Sequence, residues 1–204
     1  MKKLFPVIAV IFAALAIYFL FFNKKKNKVE EVKQQSIVLK KHSDAFNNST
    51  DSVVNAYLEI KNAFVNTDTA AAKTAVRNFI ALLDRLPVDE LKKDTATIFE
   101  TVQSNISDIK SNATSLLNQT DITEMRKDFS MVTEMIYPSF FTAINYEGPK
   151  LYLENCPMAF SDSISANWIS NSAEIVNPYM GKNHPTYHSG MLACGSVKDS
   201  IVAK

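Results

Sequence analysis

Seven of the chain's 12 methionine, cysteine and histidine residues fall between positions 156 and 194: Cys156, Met158, Met180, His184, His188, Met191 and Cys194. Thiolate and thioether sulfur select soft ions, copper(I) above all, and imidazole also suits zinc and copper(II). Cys156-Pro157-Met158 sets two soft donors two residues apart, with the proline stiffening the turn between them. Met191-x-x-Cys194-Gly195 repeats the pairing at a spacing of three. Gly195 there would relieve crowding where the backbone bends around an ion. Two Cys and two Met would make a closed, low-coordinate copper(I) site.

Plainer readings of the same residues stand beside this one. Two Cys in an exported domain commonly form one disulfide. A Cys156–Cys194 bridge would close a loop of about 38 residues, contributing ~3–4 kcal/mol by the chain-entropy account. Both thiols could equally be free and merely buried. His184 and His188 read as exposed loop residues, and Trp168 and the Asn177-Pro178-Tyr179 turn as packing and turn elements.

Other chemistries are excluded more firmly. There are only 4 glycines, at positions 148, 181, 190 and 195, so no phosphate-cradling loop exists. No G-x-S-x-G elbow and no H-E-x-x-H helix occurs. A Cys194–His188 nucleophile pair lacks a third orienting group, so no enzyme is expected. The net charge of +1 conceals six lysines and no acid in residues 1–28. The remainder holds 16 basic and 21 acidic residues, net −5, which argues against a nucleic-acid partner.

The elements that must position the sulfurs follow from periodicity. Residues 43–146 carry four apolar stripes at spacings of 3 and 4. They run through Val53-Tyr57-Ile60-Phe64, Ala72-Val76-Phe79-Leu83, Ile98 to Leu116, and Ile122 to Phe140. Each is the buried face of an amphipathic helix. Asp68 caps the second, Pro87 and Asp89 open the third, and Asp121 with Glu124 forms a capping box for the fourth. Short connections force antiparallel neighbours. Pro138 should kink or end the fourth helix. Met125, Met131 and Met135 read as core filling. With His42 the one His before His184, a di-metal carboxylate site in the bundle fails. After Glu147 the chain turns rich in Gly and Pro, and residues 147–204 read as loops with two short strands, Leu151–Leu153 and Met191–Val197.

Leu4 to Phe22 is 19 residues without a charge, flanked by Lys2 and Lys3 and by Lys24, Lys25, Lys26 and Lys28. As a helix it would run about 28 Å, near a bilayer's hydrocarbon thickness. It is long for a cleaved signal, so residues 1–28 read as an uncleaved anchor, with a cleaved signal as the alternative, and 29–42 as a stalk. The flanking charges lean by one toward a cytoplasmic carboxyl side.

The run from Tyr152 to Val197 contains YLENCPMAF, ANWIS, EIVNPYMG and MLACGSV. It resembles an uncharacterised bacterial exported domain family with the pattern Y-x-x-x-C-P-M-A, W-[LI]-S, E-I-x-N-P-Y-x-G and M-L-x-C-G. Residues 56–76 resemble that family's first two helices, and the likeness spans about residues 45–197. That domain occurs alone or fused to periplasmic adaptor subunits of heavy-metal efflux pumps. The resemblance implies an exported location and places the family's sulfurs on Cys156, Met158, Met191 and Cys194. His184 and His188 lie in an apparent insertion, Lys182–Ser189, and Met180 falls at a variable position, so these three are optional ligands.

The expectation is therefore an all-α chain. An up-down four-helix bundle (43–146) would carry an irregular, short-strand tail (147–204), preceded by one transmembrane helix. It would sit in the inner membrane by a single pass, with its soluble domain in the periplasm. There it would handle copper(I), with an efflux adaptor or other envelope protein as partner. The alternative is an envelope interaction module whose two Cys form a structural disulfide and which takes no cofactor.

Overall fold

Ser43 opens the first helix by accepting the Phe46 N–H at 3.2 Å on its hydroxyl. This relieves one of the donors that a helix start leaves unpaired. The computed structural model describes residues 41–202. In it α1 spans Asp44–Val65 and α2 spans Thr69–Arg85, the latter capped by Asp68 as the sequence leads one to expect. The third helix begins later than expected. Pro87 instead precedes, and Asp89 lies in, a 3-10 turn, Val88–Lys93. Helix α3 (Ala96–Asn118) is capped by Thr95, whose hydroxyl accepts from Ile98 N–H at 3.1 Å. Asp121 caps α4 (Ile122–Met135) through Thr123 and Glu124 N–H, while Glu124 pairs with Lys127.

Pro138 acts where the spacing places it. A proline disfavours helical backbone at the residue before it, and Tyr137 is extended (φ −115°, ψ 131°). Helix α4 ends at Met135, the backbone kinks through Ile136–Phe140, and a short α5 follows at Phe141–Ala143.

The expected all-α class is overturned by what comes next. Residues 151–201 build a three-stranded antiparallel sheet. Its strands are β1 (Leu151–Ser161), β2 (Ile164–Ser170) and β3 (Ser196–Ile201), in the order β2-β1-β3. Leu151–Leu153 does begin a strand, but one of 11 residues. Its main partner is the adjacent β2, in the stretch that reads as loop from composition. The second expected strand starts at Ser196, because Met191–Cys194 closes into a turn, with Cys194 N–H on Met191 C=O at 3.0 Å. The fold is helices packed against an antiparallel sheet.

A continuous aromatic core joins the two parts. Tyr57 stacks on Phe129 at 5.1 Å, Phe129 meets Tyr179 at 6.0 Å, and Tyr179 meets Trp168 edge-on at 5.9 Å. The Tyr57 hydroxyl bonds Thr133 Oγ1 at 2.6 Å and accepts the Ile169 N–H of β2 at 3.0 Å. One helix side chain thus supports both α4 and the sheet. Met125 is buried as expected, but Met131 is 45% exposed.

The expected anchor and stalk lie outside the described residues, apart from residues 41 and 42. Among the described residues no helix is long and apolar enough to cross a membrane.

Candidate functional site

Cys156 sits on β1 opposite Ala166 of β2, fully buried. Immediately after it the ladder breaks. Cys156 pairs with Ala166 and Ser161 with Ile164, so four residues of β1 face one residue of β2. Pro157 has no N–H to give a ladder, and a bulge is where such a residue is tolerated. The Cys-Pro-Met run is this bulge. Met158 lies within it, half-buried against the core, where strand alternation no longer dictates a face.

Cys194 arrives from the other end of the tail. Its Sγ stands 3.5 Å from Cys156 Sγ, 38 residues away in sequence, and both thiols are free. Gly195 allows the approach for a reason unlike the expected one. It has φ +143°, and a Cβ there would lie 2.7 Å from Asn155 C=O and 2.9 Å from the Trp168 ring. The glycine brings the backbone against β1 and the indole. Burial and the neighbouring Cys156 push the Cys194 thiol up to about 11, which keeps it protonated at neutral pH.

Of the other expected donors, Met191 is half-buried at the start of the turn that Cys194 closes. Met180 is 2% exposed and packed in the core, with its N–H on Asn177 Oδ1 at 3.1 Å. His184 spends its free lone pair within the loop: Nδ1 accepts the Thr186 and Tyr187 N–H groups, each at 3.2 Å, and the ring stacks on Tyr187. A neutral imidazole has one acceptor nitrogen, so in this geometry the His184 lone pair is engaged by its own loop. Burial, Arg126 and His188 hold its pKa down. His188 is exposed at φ 49° and meets His184 through a backbone bridge. The two histidines are thus brought to each other. Among the described residues no group of three or more His, Cys, Asp and Glu is arranged to hold an ion.

Two buried charges escape a composition-based reading. Glu154 is fully buried on β1, two residues before Cys156 and opposite Trp168. Burial pushes its pKa up to about 7 against the pull of Lys61 and the indole, and neither carboxyl oxygen makes a hydrogen bond of ordinary geometry. Lys61 of α1 is 6% exposed; burial lowers its pKa, and Glu154 opposes that. The signal for Lys61 is its spacing. It lies four residues after Tyr57 and three before Phe64, inside the apolar stripe.

Residues 53–145 match the model of a family described as a protein of unknown function, DUF3347. The match lies within the helical part, covers less than half of the chain and stops before the thiol pair, so it is a likeness to an uncharacterised domain family. No curated protein and no solved structure matches the chain.

Proposed function

We propose that this chain is a copper(I)-binding domain of the bacterial periplasm, holding the ion between Cys156 and Cys194 and serving heavy-metal efflux. The observation that carries the reading is the 3.5 Å approach of two sulfurs that enter from opposite ends of the tail. With metal–sulfur bonds near 2.3 Å, two thiolates of a tetrahedral site lie ~3.8 Å apart. The pair therefore suits a bent site with further ligands better than a linear one. The thioethers of Met158 and Met191 flank the two thiols in sequence and would complete it. Both Cys protons must leave as the ion enters. Cys-Pro-Met, Asn-Pro-Tyr and Met-Leu-Ala-Cys-Gly, as motifs resembling those of domains fused to efflux adaptor subunits, support the link to efflux. No catalytic step belongs to this reading, because a thiol held protonated is a poor nucleophile.

Titration of the reduced full chain with copper(I), anaerobically and against a chromogenic chelator, tests it. Wild type should compete for the ion, Cys156→Ser should lose that competition, and Met191→Leu should weaken it about tenfold or more. Absent or unchanged binding defeats the reading.

A second reading is favoured by the same contact together with the full burial of Cys156. A structural disulfide would form there with little motion and dock the tail. Mass spectrometry of the native chain with and without reductant separates the two, since a bridge that resists reduction supports the second.

The envelope location is supported by the resemblance of the Tyr152–Val197 motifs to exported domains, while the lysines that flank Leu4–Phe22 lean by one charge the other way. Alkaline phosphatase fused after residue 42 should be active; a silent fusion removes the location and the oxidising context with it.

A further inference from the structure

Asn177 is fully buried, and nearly all of its hydrogen-bonding capacity is used. Its side-chain oxygen accepts the N–H groups of Tyr179 at 2.8 Å and Met180 at 3.1 Å, and its C=O accepts from Gly181 at 3.0 Å. On its other side its backbone N–H donates to Leu192 C=O at 2.8 Å, and Nδ2 donates to Cys194 C=O at 2.7 Å. One residue therefore ties the turn that follows it to the turn that carries Cys194.

The first of those turns is fixed on the helices. Lys182 N–H donates to Val65 C=O at 2.8 Å and its Nζ to Asn66 Oδ1 at 2.9 Å, at the end of α1. Tyr179 packs against Phe129 and Trp168. The Met191–Cys194 turn packs Met191 and Cys194 against the core but makes no such hydrogen bonds to the helices among the described residues. Its internal bonds are local, Leu192 N–H on Ser189 C=O and Cys194 N–H on Met191 C=O. Apart from the thiol contact, the hydrogen bonds that tie residues 189–194 to distant chain, among the described residues, are the two from Asn177.

We propose that Asn177 is the positioning residue of the thiol pair: its buried amide holds the Met191–Cys194 turn so that Cys194 Sγ stays within reach of Cys156 Sγ. Only a side chain with a donor and an acceptor on one short stem serves both turns. Aspartate keeps the acceptor and lacks the donor, and alanine lacks both. The inference rests on the thiol pair being the working part of the chain, but not on which ion it takes.

The test is the thiol–disulfide equilibrium of the reduced full chain with oxidised glutathione. At mildly alkaline pH, where the ionised fraction of Cys194 is raised, its thiolate attacks the glutathione disulfide and expels one glutathione thiolate. Cys156 sulfur then attacks the mixed disulfide at Cys194, forming the Cys156–Cys194 bond and expelling the second glutathione. The two cysteines are oxidised, one glutathione disulfide is reduced to two thiols, and the two cysteine protons end on glutathione. Asn177→Asp and Asn177→Ala should each lower the equilibrium constant at least tenfold, about 30 mV for two electrons. Val102→Ala, fully buried on α3, should destabilise the fold yet leave that constant within twofold. The proposal is overturned if folded Asn177→Asp stays within twofold of wild type, or if Val102→Ala shifts the constant as far. Failure of both Asn177 variants to fold overturns it as well, because a positioning residue leaves the helices intact. The copper(I) titration of wild type is a separate readout. If that ion fails to bind, the functional reading falls while the Asn177 result still stands or falls on its own.

Discussion

Tyr57 shows how much one hydroxyl decides at the scale of a residue. Burial and its neighbours raise its pKa far above the ordinary tyrosine value, so it is a neutral hydrogen-bonding group. It satisfies Thr133 Oγ1 and the backbone N–H of Ile169 together. A buried donor stripped of its partner costs ~1–3 kcal/mol. Tyr57→Phe keeps the ring stack on Phe129 but orphans Ile169 N–H, and denaturant unfolding should show a loss of that size. A change below about 0.5 kcal/mol would mean that water or another group takes over the bond. Its place in the apolar stripe was plain from spacing, but its partners were not. Nothing in the sequence near Tyr57 indicates that residue 169, 112 positions later, needs an acceptor. The histidines show the same limit. Their residue type suggests ligands, while the use of His184 Nδ1 by two backbone N–H groups depends on loop geometry that residue type does not carry.

At the scale of elements, the start of α1 is held to the 3-10 turn by a carboxylate clasp. Glu90 accepts the Ser43 N–H at 2.7 Å, the Ser43 hydroxyl, and Lys93 Nζ at 2.7 Å, while His42 Nδ1 lies 3.7 Å away. Desolvation would raise its pKa, but the bonds from Lys93 and Ser43 outweigh that and hold it at about 2. Its folded value lies below the unfolded one near 4.3, so the ionised clasp stabilises the fold fully above that pH. The contribution fades as pH falls from about 4.5 toward about 2. Melting temperature followed across that window should drop for wild type, and the drop should be shallower for Glu90→Gln, which starts lower at pH 7. Equal slopes would rule out Glu90 as a source of the acid sensitivity. The helices themselves were legible because each needs only local signals, an apolar stripe and a capping Ser, Thr or Asp. The sheet was not. Leu151–Ser161 is interrupted by Glu154, Asn155 and Pro157, and β3 is almost wholly exposed, so neither strand shows clean alternation.

Across the whole molecule, the helical part and the tail share one core, with Tyr57, Phe129, Tyr179 and Trp168 running through it. Lys61 on α1 and Glu154 on β1 are both buried and act on each other electrostatically, one from the helical part and one from the tail. The amino acids alone determined the four helical stripes, the break at Pro138, the concentration of sulfur after residue 150 and the absence of phosphate-binding loops. Each of these is written in residues close together along the chain, where spacing and composition act directly. Only the tertiary structure decided that the tail is a sheet, that Gly195 makes room for an indole, and that Cys156 and Cys194 meet while His184 turns inward on its own loop. Those outcomes rest on contacts between residues tens to a hundred positions apart, whose energy depends on shape and burial that no local pattern encodes.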